Sequence, residues 1–164
     1  QRNYDWTSGE CKELLNDIIT VQEEDRGTHF IGSIVFIHEG TYSTSEVKEL
    51  VIIDGQQRLT TSMLLMQAIL ETVDNDTQLN YQSLDTIRKQ YILNRADDGL
   101  RESFIFGYEK DNPSDEYLKT KVFGVHSHSN QYQETLYTQN LSKAKAFFKE
   151  KLEISSYYAF IGSF

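Results

Sequence analysis

Between residues 51 and 70 the chain reads VIIDGQQRLTTSMLLMQAIL. Val51, Ile52 and Ile53 are apolar and β-branched and predict a short strand; the Asp54-Gly55 pair predicts a turn after it. Beyond the turn, Leu59, Met63, Met66, Leu70 and Val73 recur at helical spacing, and Leu64, Leu65 and Ile69 widen the stripe. That pattern predicts a long helix buried on most sides. Asp54 followed three residues later by Gln57 has the form of a capping box. One polar island remains at the joint: Asp54, Gly55, Gln56, Gln57, Arg58, Thr60 and Thr61.

The same periodicities organise the flanks. Residues 1–6 read as an extended opening segment. Thr7 and Glu10 form a second capping-box pattern and open a helix to about residue 24, with Cys11, Leu14, Leu15, Ile18 and Ile19 inward. Residues 29–37 predict a strand carrying Gly32-Ser33, and a glycine inside a strand marks the close approach of another backbone or a ligand. Residues 38–46 read as a hairpin loop and 49–53 as the returning strand. Downstream, 74–82 reads as a linker, 83–93 as a helix and 97–114 as an acidic turn region with strand-like Phe104-Ile105-Phe106. A helix follows at 115–123, capped by Ser114. A last helix at 131–153 has Leu136, Leu141, Ala144, Phe147, Phe148 and Leu152 inward. Residues 157–164 look strand-like, and both ends look cut from a longer chain.

A chain of 164 residues can bury one core. No apolar run reaches membrane-spanning length, so no membrane partner is expected. A single cysteine, Cys11, cannot form an internal disulfide, which favours a cytoplasmic setting. The net charge of −9 opposes non-specific DNA binding, which depends on phosphate neutralisation by Lys and Arg. Against that background the joint stands out. A helix N-terminus attracts anions, Gly55 admits a ligand close to the backbone, and Arg58 offers a planar fork for phosphate. No GxxxxGK[ST] occurs, so a P-loop is excluded. His29, the His126-Ser127-His128 run and the Asp97-Asp98 and Asp111/Asp115/Glu116 groups read as solvated or packed residues.

The string IDGQQRLTT resembles the signature of the GmrSD-type restriction endonuclease family, in its N-terminal DGQQR domain. Gln1-Arg2-Asn3-Tyr4-Asp5-Trp6 resembles that family's opening segment; Leu14, Leu15, Asp17 and Ile18 resemble its first helix. His29-Phe30-Ile31-Gly32-Ser33-Ile34-Val35 resembles its glycine-serine strand. The resemblance is good over residues 1–75 and loose beyond. It implies an α+β fold: a small mixed β-sheet with helices, ParB/sulfiredoxin-like, over 1–75, followed by a mostly helical extension over 76–164. It also implies a domain that binds and hydrolyses a nucleoside triphosphate (NTP) with Mg2+ and so regulates a modification-dependent restriction or phage-defence protein. Asp54, Gln56, Gln57 and Arg58 would then be catalytic, with Asp54 holding the metal and a glutamine orienting water. Gln1, Arg2, Tyr4, Gly32, Ser33, Gly55, Thr60 and Thr61 would bind the nucleotide, with Tyr4 or Trp6 stacking on a base. DNA would be met through the full-length protein, and cutting would fall to a C-terminal or partner HNH-like nuclease domain. Two readings compete: a non-catalytic module sensing modified DNA through Gln1, Arg2 and Tyr4, and an interaction scaffold that keeps the motif for folding.

Overall fold

A computed structural model describes residues 2–24, 28, 30–38, 50–95, 102–109, 111–125 and 132–154. Gln1, His29, most of the hairpin loop, Asp97, Asp98, His126, His128 and the strand-like run 157–164 lie outside them. Helix α1 (Ser8–Glu23) starts as its sequence pattern dictates. The Thr7 N–H and hydroxyl donate to the Glu10 carboxylate at 2.8 and 2.7 Å, and the Thr7 hydroxyl accepts from the Gly9 N–H at 3.3 Å. These bonds, the side-chain one first, hold the Glu10 carboxyl below its ordinary pKa.

The strand expected over 29–37 contracts to β1 (Val35–Ile37), which pairs antiparallel with β2 (Val51–Asp54). Gly32 at φ 98° bends the preceding segment out of extended geometry, and the ladder register shifts between Val35 and Phe36. Helix α2 (Gln56–Thr72) follows directly. The region read as a linker holds a tight hairpin, β3 (Gln78–Leu79) with β4 (Gln82–Ser83). Its two turn residues, Asn80 and Tyr81, are both left-handed at φ 49° and 61°, the geometry that matches strand twist in two-residue turns. No glycine marks this turn, so the local sequence does not display it.

Helix α3 (Leu84–Tyr91) is capped by Ser83, whose hydroxyl accepts from the Thr86 N–H at 3.2 Å. Strands β5 (Leu93–Arg95) and β6 (Glu102–Phe104) pair antiparallel. Helix α4 (Pro113–Tyr117) is capped by Asn112, not by Ser114 as expected, and widens into a π-turn over Leu118–Val122. Proline at the first helical position sets this start, since its missing N–H is not needed there. Helix α5 (Leu136–Glu153) begins later than expected, at a reciprocal cap between Thr135 and Thr138. Leu136 sits at the first position of that helix, 64% exposed, and is not part of its inner face.

The α+β class stands. Among the described residues the strands form three separate two-stranded antiparallel ladders and not one mixed sheet. The buried cluster draws on both sides of residue 75: Tyr4, Cys11, Leu15 and Leu64 meet Leu118, Phe123, Leu141 and Phe148. Helices α2 and α5 make the main contact in it. Among the described residues no helix is long and apolar enough to cross a membrane.

Glu71, near the end of α2, ties this contact together. Its Oε1 accepts from Lys145 Nζ at 2.7 Å and from Gln67 Nε2 at 2.7 Å, and its Oε2 accepts from Lys149 Nζ at 3.2 Å. Burial pushes the carboxyl pKa up, but the bonds from Lys145 and Gln67 and the lysine charges outweigh it, so the net shift is downward. The group is more acidic folded than unfolded. Its contribution is therefore present above the unfolded carboxylate range and disappears as pH falls through the folded pKa. Glu71→Gln should lower the urea midpoint at pH 7, with the gap to wild type closing on acidification below about pH 4.

Candidate anion-binding site at the β2–α2 joint

The chain turns from β2 into α2 through Gly55, the N-cap residue, at φ 88° and with no side-chain cap. Asp54 therefore does not close the capping box its spacing suggested. It is the last residue of β2 and exposed, and the Gln57 side chain it was to meet points elsewhere. A cap at Asp54 would require the residue after it to be the first helical one; the left-handed glycine intervenes. The consequence is chemical: among the described residues no side chain caps α2, so its start keeps the positive end and the donor capacity of an uncapped helix.

An open cleft of about 190 Å³ lies against this terminus, lined by Arg2, Trp6, Ile53, Asp54, Gly55, Gln56, Gln57 and Arg58. Both glutamine side chains hold the opening segment. Gln56 Oε1 accepts from the Arg2 N–H at 2.8 Å while its Nε2 donates to the Ile52 carbonyl. Gln57 Oε1 accepts from the Asp5 N–H at 3.1 Å while its Nε2 donates to the Asn3 carbonyl at 2.6 Å. With all four polar atoms engaged by backbone, the glutamines position Arg2 and Trp6, and each carboxamide keeps one N–H and one lone pair.

Arg58 donates from Nη1 to the Ile31 carbonyl at 2.8 Å. Its guanidinium lies across Gly32, in the place a Cβ would fill, so the space above Gly32 receives an arginine and not a phosphate. Ser33 is exposed and does not line the cleft; its carbonyl abuts Gly55. Thr60 and Thr61 are also not ligand-facing. Thr60 is 1% exposed with its hydroxyl 3.3 Å from the Tyr108 hydroxyl, and Thr61 is fully buried. Thr61 donates to the Gln57 carbonyl at 2.8 Å and accepts from the Tyr4 hydroxyl at 2.8 Å. Tyr4 itself is fully buried beneath the joint, so it cannot stack on a base. Burial pushes the Tyr4 phenol far above its ordinary pKa and Tyr108 up to about 12; both act as neutral hydrogen-bonding groups.

Trp6 and Ile53 do line the cleft. Ile53 was missed because a β-branched residue in a strand reads as core; β2 instead leaves it 55% exposed. The Asp54 carboxylate makes no hydrogen bond or ion pair among the described residues, and no group of three His, Cys, Asp or Glu among them could hold a metal. A lone carboxylate fits Mg2+ arriving with phosphates, since that ion keeps several waters and takes other ligands from its substrate. It does not fit a tightly held resident metal.

The net result is a candidate anion cradle in an acidic chain: an uncapped helix N-terminus, the exposed Arg2, the anchored Arg58 and one carboxylate. In comparison with known families, the one described as GmrSD restriction endonuclease, N-terminal domain, matches residues 1–163. No curated protein matches the chain.

Proposed function

The chain belongs to the GmrSD restriction endonuclease N-terminal domain family, and from that premise we propose that it is the NTP-binding and NTP-hydrolysing regulatory domain of a restriction protein. The observation that carries the reading is the convergence of Arg2, Arg58 and the uncapped start of α2 on one cleft. Each supplies positive charge or N–H donors, and together they match a polyphosphate. Drug-sized ligands take pockets of about 300–1,000 Å³, so a cleft of about 190 Å³ suits the phosphate tail, with the base resting at the open rim by Trp6.

In this reading Arg58 and Arg2 donate to phosphate oxygens while Gln56 and Gln57 hold the Arg2 segment in place. Asp54 is the carboxylate that would hold Mg2+, which supplies charge neutralisation at the phosphates when bound. It is also the one lining carboxylate able to take a proton from water. The nucleotide state then licenses a nuclease domain that acts on DNA.

The whole chain, mixed with each of the four NTPs and Mg2+, should show a rise in melting temperature with at least one of them, and phosphate release. Asp54→Ala and Arg58→Ala should each weaken binding about tenfold or more, the worth of one charge-assisted contact. Absence of both signals with every NTP, in the full-length protein as well, would sink the reading. The modified-DNA alternative is weakened by the burial of Tyr4, which leaves Arg2 as its one exposed contact among the described residues.

A further inference from the structure

We infer that Gly32 is a positioning residue of this anion site, acting through Arg58; the inference rests on the nucleotide-binding reading above. A Cβ built on Gly32 would lie 1.5 Å from Arg58 Nη1, 2.5 Å from Cζ and 3.1 Å from Nη2. The guanidinium thus fills the volume that any other residue would claim at position 32. At the same time its Nη1 donates to the carbonyl of the preceding residue, Ile31. One contact is steric and the other directional, so together they fix both the location and the plane of the fork.

That geometry matters for a ligand. A guanidinium carries five N–H donors, and among the described residues one of them is engaged, by the Ile31 carbonyl, so the others can meet phosphate oxygens. A long side chain loses rotamer freedom when it binds; one already held in a socket loses less. Position 32 also has φ 98°, which L side chains rarely adopt, so the same glycine shapes the turn that presents the Ile31 carbonyl. A glycine present only for this turn would affect stability regardless of residue 58. A glycine that also seats Arg58 affects anion affinity as well, and does so only while residue 58 is arginine.

A double-mutant cycle of Gly32→Ala and Arg58→Ala in the whole chain separates the two. Unfolding midpoints without ligand provide one readout. Affinity for pyrophosphate and for NTP with Mg2+ provides the other, followed through the fluorescence of Trp6, the single tryptophan, which lines the cleft. Gly32→Ala should lower the midpoint by a similar amount in both backgrounds, because left-handed strain sets the cost while the guanidinium, at the far end of a flexible side chain, swings aside cheaply. Each single variant should weaken anion binding about tenfold, and the double variant no further. Should Gly32→Ala fail to fold, Gly32→Asn, whose side chain tolerates left-handed backbone, carries the same affinity cycle. Equal losses of affinity with and without Arg58 overturn the role of Gly32 while leaving the nucleotide reading intact. A wild-type chain that binds neither pyrophosphate nor any NTP overturns the reading and the site role together.

Discussion

Tyr4→Ala is expected to lower the unfolding free energy by about 3–5 kcal/mol, the range for deleting a large buried aromatic side chain. The side chain is fully buried, and its hydroxyl lies 2.8 Å from Thr61 Oγ1 and 3.6 Å from Cys11 Sγ. Its carbonyl accepts from Asn140 Nδ2 at 3.3 Å. One residue thus ties the opening segment to α1, α2 and α5. Tyr4→Phe keeps the ring and removes only the hydroxyl. Thr61 would still donate to the Gln57 carbonyl, so the cost should drop to about 1 kcal/mol. Urea unfolding of the two variants side by side checks the ratio. A Tyr4→Ala loss no larger than that of Tyr4→Phe would contradict the packing described.

Gly55→Ala should cost about 2–5 kcal/mol, summing left-handed strain of about 1–2 with steric displacement of about 1–3. Gly55 has φ 88°, and a Cβ there would sit 3.0 Å from the Ser33 carbonyl oxygen, 3.0 Å from Ile34 Cγ1 and 3.2 Å from Ile34 Cα. Two of these three atoms are backbone or near it, so a rotamer change cannot relieve the contact. The segment before β1 would have to lift from the start of α2, taking the Ile31 carbonyl away from Arg58. Both stability and anion affinity should therefore fall. A variant that unfolds like wild type and binds equally well would show that the close approach is dispensable.

These two positions differ in how visible they were. Gly55 announces itself, because a glycine between a β-branched run and an apolar helix has few other uses. Tyr4 does not: an aromatic residue in a polar opening segment reads equally well as a ligand contact or as an anchor. Its burial depends on Thr61, 57 residues away in sequence. The capping box at Asp54 failed for a related reason, since the left-handed turn at Gly55 lies tight against the distant segment at Ser33 and Ile34.

Helix α2 shows the division most clearly. Its existence and length follow from apolar spacing, yet the residues most deeply buried include Gln56, Thr60, Thr61 and Gln67, while Leu59, Met63, Met66 and Ile69 are half-buried. Polar side chains reach the interior because Tyr4, Tyr108, Glu71 and the opening backbone supply partners for their hydrogen bonds. None of those partners is adjacent in the chain apart from Glu71.

What the amino-acid order determined unaided was the set of helices, the cap at Thr7, and the location of the joint at DGQQR. Each depends on residues within about four positions of one another, where backbone geometry makes neighbours meet regardless of the rest of the fold. Only the tertiary structure decided what the joint's side chains do. It set Gln56 and Gln57 on a segment 54 and 52 residues away, seated Arg58 on a carbonyl 27 residues away, and buried Tyr4 and Thr61 together. Such contacts follow from how separate elements pack. No short-range pattern encodes that.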